Sequence, residues 1–289
     1  MDRVRTGARL VTTAAGDVEF AERGGGFPVL AVHGAVGGFD QAMTLANPLL
    51  ARGMHVIAPS RFGYLGTPLP ADASPAAPAD AHIALLDALA IERCVVIGVS
   101  AGAPSCIEFA IRHPARCAAL VLMVPLAYAP REPYRETIHL TPAARFLLST
   151  GLQSDFVFWI GITHALTGLA SRVLATPRDL IEAASPGERK RVQTFLKTML
   201  PLRPRIAGTR NDARIATSLE PSHLRAVKAP TMILSGRDDG FGLGLGARYT
   251  ARHIPGARHL TFERGGHILA GHGDEALAAV ESFLDAHAR

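Results

Sequence analysis

Three residues of this chain have types and settings suited to nucleophilic catalysis: Ser100, Asp239 and His267, each following an apolar run of strand length. Ser100 is the sharpest case. It is the centre of Gly98-Val99-Ser100-Ala101-Gly102, a G-x-S-x-G between the β-branched run Val95-Val96-Ile97 and a helical segment. A serine held on so tight a strand-to-helix turn takes strained backbone angles, which demands small residues two before and two after it. The turn also lifts Oγ clear of the sheet and aims the next helix N-terminus at it, favouring the anion formed on attack. Ser60, Ser105 and Ser235 lack this setting, since they fall in a loop, in a helical pattern and at a strand end.

A serine hydroxyl needs a base, and the base needs a carboxylate to hold its tautomer. Two downstream segments supply them. Residues 232–240 read as a strand ending in a polar turn with Asp238 and Asp239, and the form Gly-x-x-Asp from Gly236 selects Asp239, leaving Asp238 as a solvated neighbour. His267 directly follows Gly265-Gly266, whereas His272 falls about one and a half turns into a predicted helix and reads as a surface or supporting group. The chain order is Ser, Asp, His. Without HExxH or an acid at ligand spacing, neither histidine reads as a metal ligand, and no metal or cofactor is expected.

Catalysis on a carbonyl also requires donors where its oxygen becomes charged. Val29 to Gly38 is a buried strand ending in a His33-Gly34 turn, so the expected donors are the N–H groups of Ala35 and Ala101. His33, at a strand end before glycine, reads as a structural hydrogen bonder. Neither GxGxxG nor GxxxxGK[ST] is present to make this turn a phosphate cradle.

These residues need a scaffold, and strand-length runs alternating with helical patterns predict an α/β fold with a mostly parallel sheet covered on both faces. Strands are expected at residues 10–13, 18–23, 28–32, 55–59, 93–98, 118–124, 231–234 and 259–262. Helices are expected at 39–52, 80–90, 101–112, 244–253 and 270–287. The rhythm breaks for about a hundred residues after Val124. Helical patterns at 142–149, 155–174, 178–184 and 187–199 predict a helical cap over 127–224, inserted in a core of 1–126 and 225–289. Residues 70–79, rich in Ala and Pro, are expected to be a loop.

Composition narrows the function classes. The 289 residues, 48% hydrophobic and 19% charged, suffice for one large core and a modest second module. Three cysteines without a CxxC pair suggest neither a disulfide framework nor a cysteine zinc site, so a reducing, cytoplasmic setting is expected. The N-terminal residues show no secretory pattern. The net charge of +5 is scattered rather than clustered, which argues against nucleic acid. The apolar stretch 156–171 is shorter than the roughly 20 residues of a bilayer span, though peripheral lipid contact through it stays open.

The chain resembles the α/β-hydrolase superfamily in His33-Gly34, Ser60-Arg61-Phe62-Gly63-Tyr64-Leu65-Gly66-Thr67, Gly98 to Gly102, the turn ending at Asp239 and Gly265-Gly266-His267. That resemblance implies eight strands, a cap after the sixth and a site between cap and sheet. Ser100 stands where haloalkane dehalogenases and epoxide hydrolases carry Asp, which disfavours both. The usual Asp-x-x-Gly is Ser60-Arg61-Phe62-Gly63 here, so no role passes to Ser60. The leading expectation is hydrolysis of a small or medium, largely apolar carboxylic ester, with Val36, Phe156 and Trp159 lining the acyl pocket beside Phe146, Phe158 and Ile160. Alternatives are hydrolysis of a carbon–carbon bond next to a ketone and ligand binding without turnover. An arginine facing the site from the cap would favour the carbon–carbon reading, and Arg135, Arg145, Arg172 and Arg178 are the candidates. Oligomeric state is open.

Overall fold

Period-two alternation in the apolar runs decides which face each side chain buries. In the strand Pro28–Val32, Val29 and Ala31 enter one core while Leu30 and Val32 enter the other; in Cys94–Val99, Val95 and Ile97 join the first and Cys94 and Val96 the second. Such strands must be covered on both faces. The structure, a computed structural model, describes residues 7–130 and 154–288.

The sheet has eight strands: β1 (Ala8–Thr13), β2 (Gly16–Arg23), β3 (Pro28–Val32), β4 (His55–Pro59), β5 (Cys94–Val99), β6 (Cys117–Met123), β7 (Thr231–Gly236) and β8 (Arg258–Phe262). Their order is β1-β2-β4-β3-β5-β6-β7-β8. Only the pairings of β2 with β1 and β4 are antiparallel. Helices α1 (Phe39–Ala51), α2 (Ala76–Ala88) and α3 (Ala103–Arg112) follow β3, β4 and β5. Between β6 and β7 lie α4 (Asp155–His164), α5 (Leu166–Val173), α6 (Arg178–Glu182), α7 (Pro186–Lys197) and α8 (Ile206–Ser218), and the chain ends with α9 (Gly244–His253) and α10 (Gly273–His287).

Helices α1 and α10 pack on the Val29 face, and α2, α3 and α9 cover the other. The helical insert after β6 has its own apolar core around Ile162, Ile181, Leu196 and Leu202, and that core touches the sheet domain at Ala270. No single described helix is long and apolar enough to cross a membrane.

Three elements of the helical layers differ from expectation for physical reasons. Helix α2 starts at Ala76 because Pro75 and Pro78 occupy its cap and first turn, where a missing N–H costs nothing. The helix expected over 155–174 breaks at Ala165, which leaves the helical region at φ −136°, and the two halves bend so that Ile162 and Ala170 both reach the insert core. Helix α8 has no counterpart among the expected elements, since its buried face is Gly208, Thr209, Asp212 and Ile215 rather than an apolar stripe. The pattern expected at 142–149 lies outside the described residues.

Two histidines are buried neutral. Burial first, and the Arg61 charge second, push His82 down to about 3 and lower His33 well below its ordinary value. Above about pH 6.5, the ordinary histidine value, neither folded nor unfolded chain protonates these rings. Below it the unfolded chain binds protons that the folded chain refuses, so stability falls as the pH falls. Urea unfolding is expected to show lower stability at pH 5 than at pH 6.5, with a smaller difference in His82→Gln. An unchanged loss in that variant contradicts the assignment.

Candidate active site

Strand β5 ends at Val99, and Ser100 turns the chain at φ +49°, a left-handed conformation costing a non-glycine residue about 1–3 kcal/mol. Packing imposes the glycines around it. A Cβ on Gly98 would sit 2.8 Å from Cys106 Sγ on α3, and one on Gly102 would sit 2.5 Å from the His33 carbonyl oxygen. The close approach of α3 to β5 and of the elbow to β3 therefore excludes any side chain at either position.

The loop after β8 brings His267 over the serine. Its Nε2 lies 3.0 Å from Ser100 Oγ and its Nδ1 lies 2.8 Å from Asp239 Oδ2. The other Asp239 oxygen accepts the Phe241 N–H at 2.9 Å, and the Phe241 ring stands edge-on to the imidazole at 4.8 Å. His267 and Asp239 are buried. Ser100, His267 and Asp239 thus form one hydrogen-bonded chain assembled from the ends of β5, β8 and β7.

Asp238 corrects an expectation. It is not a solvated neighbour: its carboxylate accepts the N–H groups of Gly265 at 3.2 Å and Gly266 at 2.7 Å. The histidine loop folds back over the end of β7, where these N–H groups have no strand partner, and Asp238 supplies the acceptor. Glycine is required at 266, since φ is +60° and a Cβ would lie 2.6 Å from Thr176 Cα. His272 is also displaced from expectation; it precedes α10 as its cap residue and pairs with Glu275.

The turn after β3 abuts Ser100, with an added Cβ on Gly34 reaching 3.2 Å from Ser100 Cβ. Among the described residues, the N–H groups of Ala35 and Ala101 meet no protein acceptor. The tautomer of His33 follows from its partners. Nε2 accepts the Arg61 N–H at 2.9 Å, so the proton resides on Nδ1 and is donated to the Gly34 carbonyl at 2.7 Å. His33 holds the turn, as its place before glycine suggests.

The cleft over Ser100 measures about 1810 Å³, more than a small ligand fills. Val36, Leu126 and Phe241 line it from the sheet side, and Leu174, Phe195 and Met199 from the insert. Val36 therefore lies where expected. Phe156 and Trp159 do not: they stack on each other at 68% and 47% exposure, away from the cleft. Helix α4 is apolar all round, so hydrophobic pattern cannot choose its inner face; Phe158 and Ile162, one turn apart, are the residues turned inward. Arg172 and Arg178 are absent from the lining, and Arg178 pairs with Glu182. Phe146, Arg135 and Arg145 lie outside the described residues.

Residues 28–273 match the family model described as alpha/beta hydrolase fold. This chain belongs to that family. The chain is 29% identical over 276 residues to a 2-hydroxymuconate semialdehyde hydrolase of Pseudomonas putida, covering 91% of this chain and 89% of that one. It is 38% identical over 106 residues to another protein of that name from Pseudomonas sp. (strain CF600); that match spans 38% of the relative's length. Among solved structures, an alpha/beta hydrolase fold protein from Nakamurella multipartita superposes with a TM-score of 0.79 at 27% identity, over 96% of this chain and 98% of that one.

The chain also has polar anchors between insert and site that spacing does not reveal. Arg205, fully buried, grips both Asp40 oxygens and the Gly37 carbonyl. Arg191 of α7 pairs with Glu188 and donates to the Ile268 carbonyl, while Glu188 accepts the Gly271 N–H. Arg61 meets Asp212 of α8 through two bonds of 2.7 Å. In sequence these are ordinary charges, and only contacts between residues 77 to 168 positions apart give them meaning.

Proposed function

We propose that this protein is a serine hydrolase of carboxylic esters with a largely apolar acyl group. The observation that carries the reading is the chain from Asp239 through His267 to Ser100, opening onto a cleft lined by Val36, Leu126 and Phe241. Ser100 Oγ attacks the ester carbonyl carbon as its proton passes to His267 Nε2, and the carbonyl π pair moves onto oxygen. That oxyanion is held by the N–H groups of Ala35 and Ala101. Collapse breaks the carbon–alkoxy bond, and the leaving alkoxide takes the proton from His267. Water repeats the sequence on the acyl-serine, releasing a carboxylic acid and free Ser100. Asp239 holds the imidazole with its proton on Nδ1 and stabilises the imidazolium.

A second reading, hydrolysis of a carbon–carbon bond beside a ketone, is favoured by the full-length likeness to the Pseudomonas putida enzyme. Substrates of that kind usually carry a carboxylate. The insert arginine lining the cleft is Arg191, and its guanidinium is committed to Glu188 and Ile268. Lys190 and Lys197 of the insert also line the cleft, so the ester reading rests on the apolar Val36, Leu126 and Phe241 in the lining and not on a lack of cations.

Fluorophosphonate labelling with peptide mapping, beside nitrophenyl esters of increasing chain length, tests this. Modification of Ser100 together with turnover of short and medium esters is the expected result. A folded protein left unlabelled at Ser100 refutes the mechanism. Labelling without ester turnover moves the assignment to carbon–carbon cleavage.

A further inference from the structure

The direction of an N–H is fixed by the carbonyl of the same peptide group, because a trans peptide is planar and its two polar atoms point opposite ways. The Ala35 N–H shares its peptide with the Gly34 carbonyl. That carbonyl is held from behind by two donors, His33 Nδ1 at 2.7 Å and Arg61 Nη2 at 3.1 Å. Arg61 Nε also donates to the His33 carbonyl at 2.9 Å, so one guanidinium spans both carbonyls at the start of the turn.

Arg61 in turn depends on the insert. Its side chain is 8% exposed and that of Asp212, on α8, is 6% exposed. The carboxylate meets the guanidinium in a bidentate pair and also accepts the Tyr64 hydroxyl. Burial alone would lower the Arg61 pKa, but Asp212 more than offsets it and holds the group above its ordinary value. Burial, then the same carboxylate, keeps Tyr64 protonated by raising its pKa. Tyr64 closes the circuit, since its oxygen accepts the Val36 N–H at 3.4 Å. The fit is tight at the helix: a Cβ on Gly208 would fall 2.2 Å from the Tyr64 ring.

We propose that the buried Arg61–Asp212 pair is the device that aims the Ala35 N–H at the substrate oxyanion, making α8 of the insert part of the catalytic apparatus. Arg61 and Asp212 are positioning residues, acting through the Gly34 peptide without touching substrate. The proposal rests on the serine-hydrolase reading given above. Losing the pair frees the Gly34 peptide to rotate, which withdraws a donor from the transition state while leaving apolar ground-state binding intact. Removing one oxyanion donor outright costs about 10² to 10³ in kcat, and misaiming it should cost somewhat less.

The test compares wild type with Asp212→Asn, Arg61→Lys and Tyr64→Phe on the best nitrophenyl ester. It also measures inhibition by an alkyl trifluoromethyl ketone, whose Ser100 adduct carries an oxyanion. Asp212→Asn and Arg61→Lys are expected to lower kcat by about 10- to 100-fold, with KM within twofold of wild type. The ketone Ki is expected to rise by the same factor as kcat/KM falls. Tyr64→Phe is expected to shift both quantities in the same direction by about 3- to 10-fold, and it decides the matter if the other two variants do not fold. Folded variants with wild-type kcat and ketone affinity overturn the proposal, as does a loss confined to thermal stability. If wild type itself forms no Ser100 adduct, the failure belongs to the serine-hydrolase reading instead.

Discussion

Ser100→Ala is expected to lower kcat by about 10⁵- to 10⁶-fold while leaving the fold intact, because it removes only Oγ from a turn that packing already holds. The elbow is built by Gly98 against Cys106, Gly102 against the His33 carbonyl, and the Ser100 carbonyl accepting the Leu126 N–H at 2.9 Å. None of these contacts uses the hydroxyl. Alanine keeps the same left-handed strain, so the melting temperature should stay within a few degrees of wild type. His267→Ala is expected to cost about as much as Ser100→Ala, and the double variant little more than either, since nucleophile and base act as one unit. Steady-state turnover of a nitrophenyl ester, with the acyl-enzyme sought by intact mass, gives all three values. Roughly multiplicative losses in the double variant would show that Ser100 and His267 act independently, contrary to the 3.0 Å contact between them.

Much of this site is legible before any coordinates, because its requirements are local. A strand-to-helix turn with glycine two residues to either side of serine leaves its mark within five residues, and a glycine pair before histidine does the same. The central strands are equally plain, since runs such as Val95-Val96-Ile97 must be buried on both faces wherever they fall. Asp238 and Asp239 show where such legibility ends. They are adjacent acids on one turn, and the Gly-x-x-Asp form points to the second, yet nothing local reveals that the first holds the Gly265 and Gly266 N–H groups.

The insert is harder to read for a related reason. Helix α4 is apolar on every side, so Phe156 and Trp159 look as suited to a pocket as Phe158, although the latter is the buried one. Helix α8 has the opposite problem, for its inner face is Gly208, Thr209 and Asp212, chosen to receive Tyr64 and Arg61 rather than to be hydrophobic. A helix that buries a polar face against a distant ion-pair partner carries no periodic signal. Sequence therefore reveals Ser100 and what it needs nearby, but not the pairing that spans residues 61 and 212.

The adjacent acids give the sharpest discrimination among substitutions. In Asp239→Asn, the amide oxygen can still accept the Phe241 N–H, which turns the NH₂ group toward His267 Nδ1. An NH₂ facing Nδ1 forces the imidazole proton onto Nε2, the atom that must take the proton from Ser100. The expected fall in kcat is on the order of 10⁴, with stability little changed. In Asp238→Asn, one glycine N–H keeps an acceptor and the other faces an amide donor. That mismatch is expected to cost about 1–3 kcal/mol of stability. Because the histidine loop loosens without losing its tautomer, kcat should fall only about tenfold. Thermal melts beside steady-state kinetics on both variants would separate the roles, since the larger rate loss and the larger stability loss belong to different residues. If Asp238→Asn carries the 10⁴-fold loss in rate, the acid partner of His267 has been misassigned and the 2.8 Å contact to Asp239 is not the one that orients the base.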